Sequence, residues 1–227
     1  MQKFKERLDA LSDAIIAIAM TILVLEIEAP TNSSELSAFI NHIGLFALSF
    51  TIIFNFWYER TQNGVGTDNT NDEIIALDTI NHLLVCLVPL MTKFMMHYDN
   101  RSIAVVAYGV LTLFISLLQD TTRILYIRYG FVKNLPETIS KEDLEKRIRQ
   151  YAVRTNGWLL IFVLIAYFSP MAGIYTYFIL PIVTFVRRYR VGRLLAKQGR
   201  TLPSMMVLYA RVDCKNKDDL FGRQRRR

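Results

Sequence analysis

The chain has 227 residues, 52% of them hydrophobic, a mean hydropathy of +0.24 and a formal net charge of +7. The apolar residues come in long blocks, which excludes an ordinary soluble domain and implies an integral membrane protein. The basic residues collect in one central segment and towards the C-terminus, as in cytoplasmic loops, so the charge does not imply nucleic-acid binding.

The first element occupies residues 7–30, RLDALSDAIIAIAMTILVLEIEAP. Lys3, Lys5 and Arg7 lead into it from the cytoplasmic side. Its centre, residues 14–25, is apolar apart from Thr21, and Asp9, Asp13, Glu26 and Glu28 bracket it. A lone lipid-facing helix needs about 20 apolar residues to cross about 30 Å of hydrocarbon. This run is shorter, and carboxylates are expensive against lipid. The segment therefore reads as a membrane helix shielded by other protein. Acidic residues interrupt it and no small-residue cleavage site follows, so a cleavable signal is not expected.

Leu11, Ile15, Ile18, Ile22 and Leu25 recur at steps of four and three, forming one stripe at about 100° per residue. Ala14 and Thr21 lie at its edge; Ser12 and Asp13 point away. Such a stripe is either a helix-packing seam or a pore wall. Ser12 and Asp13, lying off it, each require a polar partner on a neighbouring helix.

Residues 31–35 form a short polar turn. The second span covers residues 36–58 and ends in Trp57 and Tyr58, an aromatic belt. Residues 61–73 are polar. Gly64-Val65-Gly66 within them lacks the Lys-Ser/Thr of a phosphate loop and the Thr-Val-Gly-Tyr-Gly of a carbonyl filter, so it reads as linker. The third span, residues 74–96, carries Asn81, His82 and Pro89, with Lys93 placed to snorkel. The fourth, residues 103–125, ends in Gln119, Asp120 and Arg123, the last two a local ion pair at an interface.

Residues 128–156 connect to the next span. SKEDLEKRIRQYAVR reads as a surface helix capped by Ser140, with Leu144, Ile148 and Tyr151 on its apolar side. Two apolar runs, residues 154–168 and 171–187, meet at Ser169-Pro170 and form a helical hairpin. Arg187, Arg188, Arg190 and Arg193 then stop transfer, and residues 188–227 form a basic cytoplasmic tail attracted to anionic lipid. Cys86 and Cys214 fall in a span and in this tail, so neither a disulfide nor a metal framework is implied. The Lys/Arg bias puts the N-terminus, the loop after span four and the tail inside. With both termini cytoplasmic the number of spans is even, hence six.

The first element resembles the signature of the endolysosomal-type potassium channel family in its bacterial branch. That pattern is Arg, three residues, Phe-Ser-Asp, an Ala/Ile-rich run containing Thr, then Leu-Val-Leu. Here Arg7 precedes Leu11-Ser12-Asp13 and AIIAIAMTILVLEI, with Leu11 replacing the Phe. Asn81, the apolar run after it and Pro89 extend the resemblance into span three. The family's usual His pair after the span-two Trp is absent, replaced by Tyr58, Glu59 and Arg60.

The resemblance implies an all-α cell-membrane protein with six transmembrane helices per protomer, assembled as a homotetramer around a pore formed by the first helix. It makes Ile18 the narrowest hydrophobic ring, Ile22 and Leu25 further rings towards the outside, and Thr21 a ring of hydroxyls. Collars of Ile or Leu narrower than a hydrated ion gate by dewetting, and without a carbonyl filter the preference for potassium is modest. Glu26 and Glu28 at the outer mouth concentrate cations. Arg7, Ser12, Asp13, Trp57, Asn81 and His82 form a supporting polar network that sets the tilt of the first helix.

The expected function is a potassium-permeable channel that needs no cofactor beyond the permeant potassium ion. Its partners are the lipid bilayer and further copies of itself. A secondary transporter, or a non-conducting multi-pass protein of structural role, is the alternative on residues alone. No nucleophile triad, metal cluster or catalytic carboxylate pair is visible, so an enzyme is not expected.

Overall fold

A computed structural model describes residues 2–64, 71–129 and 141–197. Among these residues every regular element is helical. The elements are α1 (Gln2–Leu25), a short 3₁₀ turn (Ser33–Glu35), α2 (Leu36–Gly64), α3 (Asp72–Cys86), α4 (Val88–His97), α5 (Arg101–Arg128), α6 (Lys141–Phe168) and α7 (Pro170–Lys197). The linker reading of Val65 and Gly66, the Ser140 cap and the tail beyond Lys197 lie outside the described residues.

Five stretches are long and apolar enough to cross a bilayer: Lys3–Leu25, Ser33–Thr61, Asp72–His97, Arg101–Arg128 and Leu144–Phe168, with Pro170–Val186 a shorter apolar helix. The third contains two helices, because the chain departs from the regular ladder at Leu87 and Pro89 sits in the first turn of α4. Proline has no N–H to donate there, which makes the start of a helix its natural place. The amphipathic stretch after Lys141 runs into the fifth apolar segment without a break, so both belong to α6.

Helix starts follow local chemistry. Asn71 caps α3 by accepting from the Ile74 N–H at 3.0 Å, with Asp72 and Glu73 in the first turn. Asn100 caps α5 through Ile103 N–H at 3.3 Å.

α5 is the central helix. It packs against α3, α4, α6 and α7, and 44% of its apolar window is buried against 22% for α1 and for α2. α1 lies on one side of it, against α2, α3 and α4. α6 and α7 form a hairpin on the other. A methyl group at Gly173 would strike Ala166 across that hairpin, and one at Gly109 would overlap the Tyr177 hydroxyl and Val163. Glycine at these two positions lets the helix backbones approach closely.

The core joins Ile16, Ala19 and Leu23 of α1 to Leu48, Ile52 and Ile53 of α2, and to Val105, Tyr108 and Ile115 of α5. Three fully buried hydroxyls sit inside it. Thr92 of α4 lies 2.7 Å from Ser49 of α2, and Tyr108 of α5 donates to Ser49 at 3.0 Å. Because an unpaired hydroxyl is expensive in an apolar interior, this chain fixes the rotation of the three helices against one another.

Candidate functional site

α1 has two apolar faces with different fates. Ser12, Ile16, Ala19 and Leu23 are buried against the neighbouring helices. Leu11, Ile18, Ile22 and Leu25 are 58%, 58%, 40% and 79% exposed, Ile15 is half-buried, and Ala14 and Thr21 are exposed. At about 100° per residue the two faces lie about 130° apart around the helix. The stripe legible in the sequence is therefore the face that the protomer leaves uncovered. On a membrane helix such an uncovered apolar stripe meets either acyl chains or another protein surface.

The polar residues of α1 sit differently from one another. The Thr21 hydroxyl donates to the Ile18 carbonyl at 2.8 Å, which turns its oxygen lone pairs outward. The Ser12 hydroxyl likewise donates to its own helix, to Leu8 C=O at 2.8 Å. Asp13 reaches another helix: the Trp57 indole N–H donates to its Oδ1 at 2.9 Å. Arg7 is exposed. Beyond the end of α1, Glu26 pairs with Lys93 of α4 at 2.7 Å, while Glu28 is exposed.

Asn81 and His82 on α3 are buried. His82 Nδ1 lies 2.6 Å from the Asp78 carbonyl oxygen, to which it donates as the Nδ1–H tautomer. Among the described residues, Nε2 of His82 and Oδ1 of Asn81 have no hydrogen-bond partner. Ser12, Leu11, Ile15 and His82 share a groove of about 300 Å³ between α1 and α3. Asn81 lines a smaller void of about 20 Å³ with Asp9, Arg60, Asp78 and Gln119.

Arg60 is the residue that the sequence did not single out as a member of this region. Its guanidinium forks onto Asp78 of α3, with Nε to Oδ1 at 3.1 Å and Nη2 to Oδ2 at 2.8 Å, and Nη2 also reaches Asp9 of α1 at 3.1 Å. One cation thus joins three helices, in the bidentate geometry that suits arginine best. Helical spacing held the signal. Asp9 lies one turn from Asp13, Arg60 one turn from Trp57, and Asp78 one turn from His82, so each residue shares a face with one already singled out.

A second polar cluster lies between α2, α5 and α6. Arg123 Nη1 meets Asp120 at 3.0 Å, its Nη2 meets Glu59 at 3.5 Å, and Asn156 donates to Asp120 at 2.9 Å. Asp120 and Arg123 read as an interfacial pair in the sequence, but both are buried, because α2 and α6 supply the other half of the cluster. A cavity of about 50 Å³ adjoins it, lined by Asn55, Thr112, Tyr151 and Tyr177 among others.

Comparison with known proteins bears on this region. Residues 7–89 match the model of the family described as endosomal/lysosomal potassium channel TMEM175. That range holds all of the α1 stripe, Trp57, Arg60, Asp78 and His82. The fold is similar to the crystal structure of a lysosomal potassium-selective channel TMEM175 homolog from Chamaesiphon minutus, with a TM-score of 0.64 and 21% identity over 82% of this chain and 98% of that one. No curated protein matches the chain.

Proposed function

We propose that this chain, whose residues 7–89 match the model of the endosomal/lysosomal potassium channel family TMEM175, is a multi-pass membrane channel of that kind and conducts as follows. Several copies, four by the family resemblance, bring their α1 helices together around a shared axis in the cell membrane. Ile18 makes the narrowest collar. Ile22 and Leu25 make further collars towards the outer end, and both termini lie in the cytoplasm. The observation that carries this reading is the exposure of the α1 stripe while the opposite face of the same helix is buried.

The physics of such a pore follows from its lining. An isoleucine collar narrower than a hydrated ion expels water, so closure is dewetting and opening is a small widening. Thr21 lies next to Ile18 and Ile22. With its proton committed to the Ile18 carbonyl, its oxygen faces a passing cation as an acceptor. That replaces part of the ion's water shell and favours potassium modestly. Glu28, exposed beyond the helix end, adds negative potential at the outer mouth. Glu26 adds less, because Lys93 neutralises it at 2.7 Å.

Asp13–Trp57 and Asp9–Arg60–Asp78 anchor the cytoplasmic half of α1 to α2 and α3. They hold the helix at a fixed tilt, and so set the diameter at Ile18. Arg60 takes the place of the family's His pair in this role.

The test is potassium flux from liposomes containing the purified full chain, with Ile18→Asn beside the wild type. A polar collar wets more readily, so the variant leaks faster. Silence from both proteins overturns the channel reading. Saturating flux coupled to protons would assign the chain to the transporters instead.

A further inference from the structure

Two of the chain's three histidines, His42 and His97, come from different helices and meet at the end of the bundle where α1 stops. His42 lies near the start of α2 and His97 is the last residue of α4. Their ring centres are 5.6 Å apart and the planes are inclined at 59°. His42 is half-buried, with the Met96 backbone and Glu28 close to it. His97 is exposed.

We propose that His42 and His97 supply the two protein ligands of a site for a divalent transition metal of the zinc, nickel or copper class. With metal–nitrogen bonds of about 2.0–2.1 Å, two imidazoles on a tetrahedral ion have ring centres about 5 Å apart. The observed separation needs only a small side-chain adjustment, and His97 at its helix end has the freedom to make it. A histidine that binds metal through one ring nitrogen characteristically donates the other to a carbonyl, which fixes the tautomer. The nearby Met96 backbone is placed to take this role for His42, leaving its second nitrogen for the ion. Imidazole selects these metals over magnesium and calcium, which want oxygen ligands.

Among the described residues no three His, Cys, Asp or Glu side chains converge, so water completes the shell and binding is reversible. Bound metal would clamp the start of α2 to the end of α4. Lys93, one turn before His97, already ties α4 to Glu26 beyond α1. The ion would therefore stiffen the attachment of the outer end of α1.

An aromatic contact with no metal role would look similar, and one experiment separates the two. Zinc chloride is titrated into the full chain in detergent by calorimetry, on a Cys86→Ser/Cys214→Ser background that removes competing thiols. The expected result is one ion per protomer. His97→Ala, and His42→Phe, which keeps a ring but has no ligand nitrogen, each weaken binding by at least about tenfold. Excess magnesium does not compete. Unchanged zinc binding in the His42→Phe/His97→Ala double variant, or displacement of zinc by magnesium, overturns the proposal. No flux is measured, so the outcome is independent of the channel reading.

Discussion

The indole N–H of Trp57 donates to the Asp13 carboxylate across 2.9 Å, joining α2 to α1 over a sequence separation of 44 residues. The ring itself packs beside Phe54, with centres 5.5 Å apart. Trp57→Phe keeps an aromatic ring there but removes the donor. The expected destabilisation is about 1 kcal/mol, seen as an earlier thermal transition in detergent. Asp13→Asn retains an acceptor oxygen and loses less. Identical melting of Trp57→Phe and wild type would show that the bond contributes nothing to stability.

Arg60 carries more. Its side chain is 15% exposed and balances Asp9 and Asp78. Arg60→Ala leaves two carboxylates, 44% and 23% exposed, facing one another across a solvent-accessible groove, and the expected loss, reduced by that screening, is about 1–2 kcal/mol. Arg60→Lys does not restore it, because a point charge cannot fork onto Asp78. Adding Asp78→Ala to Arg60→Ala costs less than the sum of the single changes. Chemical or thermal unfolding of the four proteins in a double-mutant cycle measures that coupling; strict additivity would mean that the two side chains do not interact.

Thr21 tests selectivity. If its hydroxyl replaces part of the ion's hydration, as proposed, Thr21→Val lowers the potassium-to-sodium permeability ratio towards one while leaving Ile18 and Ile22 unchanged. Thr21→Ser keeps the ratio near that of the wild type. Biionic reversal potentials read both. An unchanged ratio in Thr21→Val would show that this hydroxyl does not set selectivity.

Tyr177 offers a prediction about packing. Its hydroxyl is buried without a hydrogen-bond partner among the described residues and lies over Gly109. Removing an unsatisfied buried hydroxyl is favourable, so Tyr177→Phe raises the melting temperature. Gly109→Ala forces a methyl group into the same space and destabilises by about 1–3 kcal/mol. Tyr177→Phe in the Gly109→Ala background recovers only part of that loss, because the ring carbon Cζ at 2.7 Å and Val163 Cγ2 at 2.8 Å still crowd the added methyl group. Complete recovery would show that the hydroxyl alone carries the strain.

Hydropathy and helical spacing were enough to read a multi-pass, all-helical membrane protein from the chain, because burying a backbone in lipid leaves few alternatives to the helix. The ordered run from Arg7 through Asp13 to Leu25 was enough to suggest the potassium channel family. The same spacing gathered Leu11, Ile15, Ile18, Ile22 and Leu25 onto one face. It could not say whether that face looks into the protomer or out of it, since Ile16, Ala19 and Leu23 form an equally apolar face on the same helix. Only packing decided this: α2, α3 and α4 cover the Ile16 face and leave the Ile18 face open.

The polar contacts divide in the same way. Asp120 and Arg123 lie three residues apart, and helical geometry alone pairs them. Arg60 with Asp9 and Asp78, Glu59 with Arg123, and His42 with His97 meet across helices distant in sequence. A side chain's neighbours along its own helix follow from the pitch of that helix. Its neighbours across a groove depend on the rotation and depth of a second helix, which the packing of the whole bundle sets.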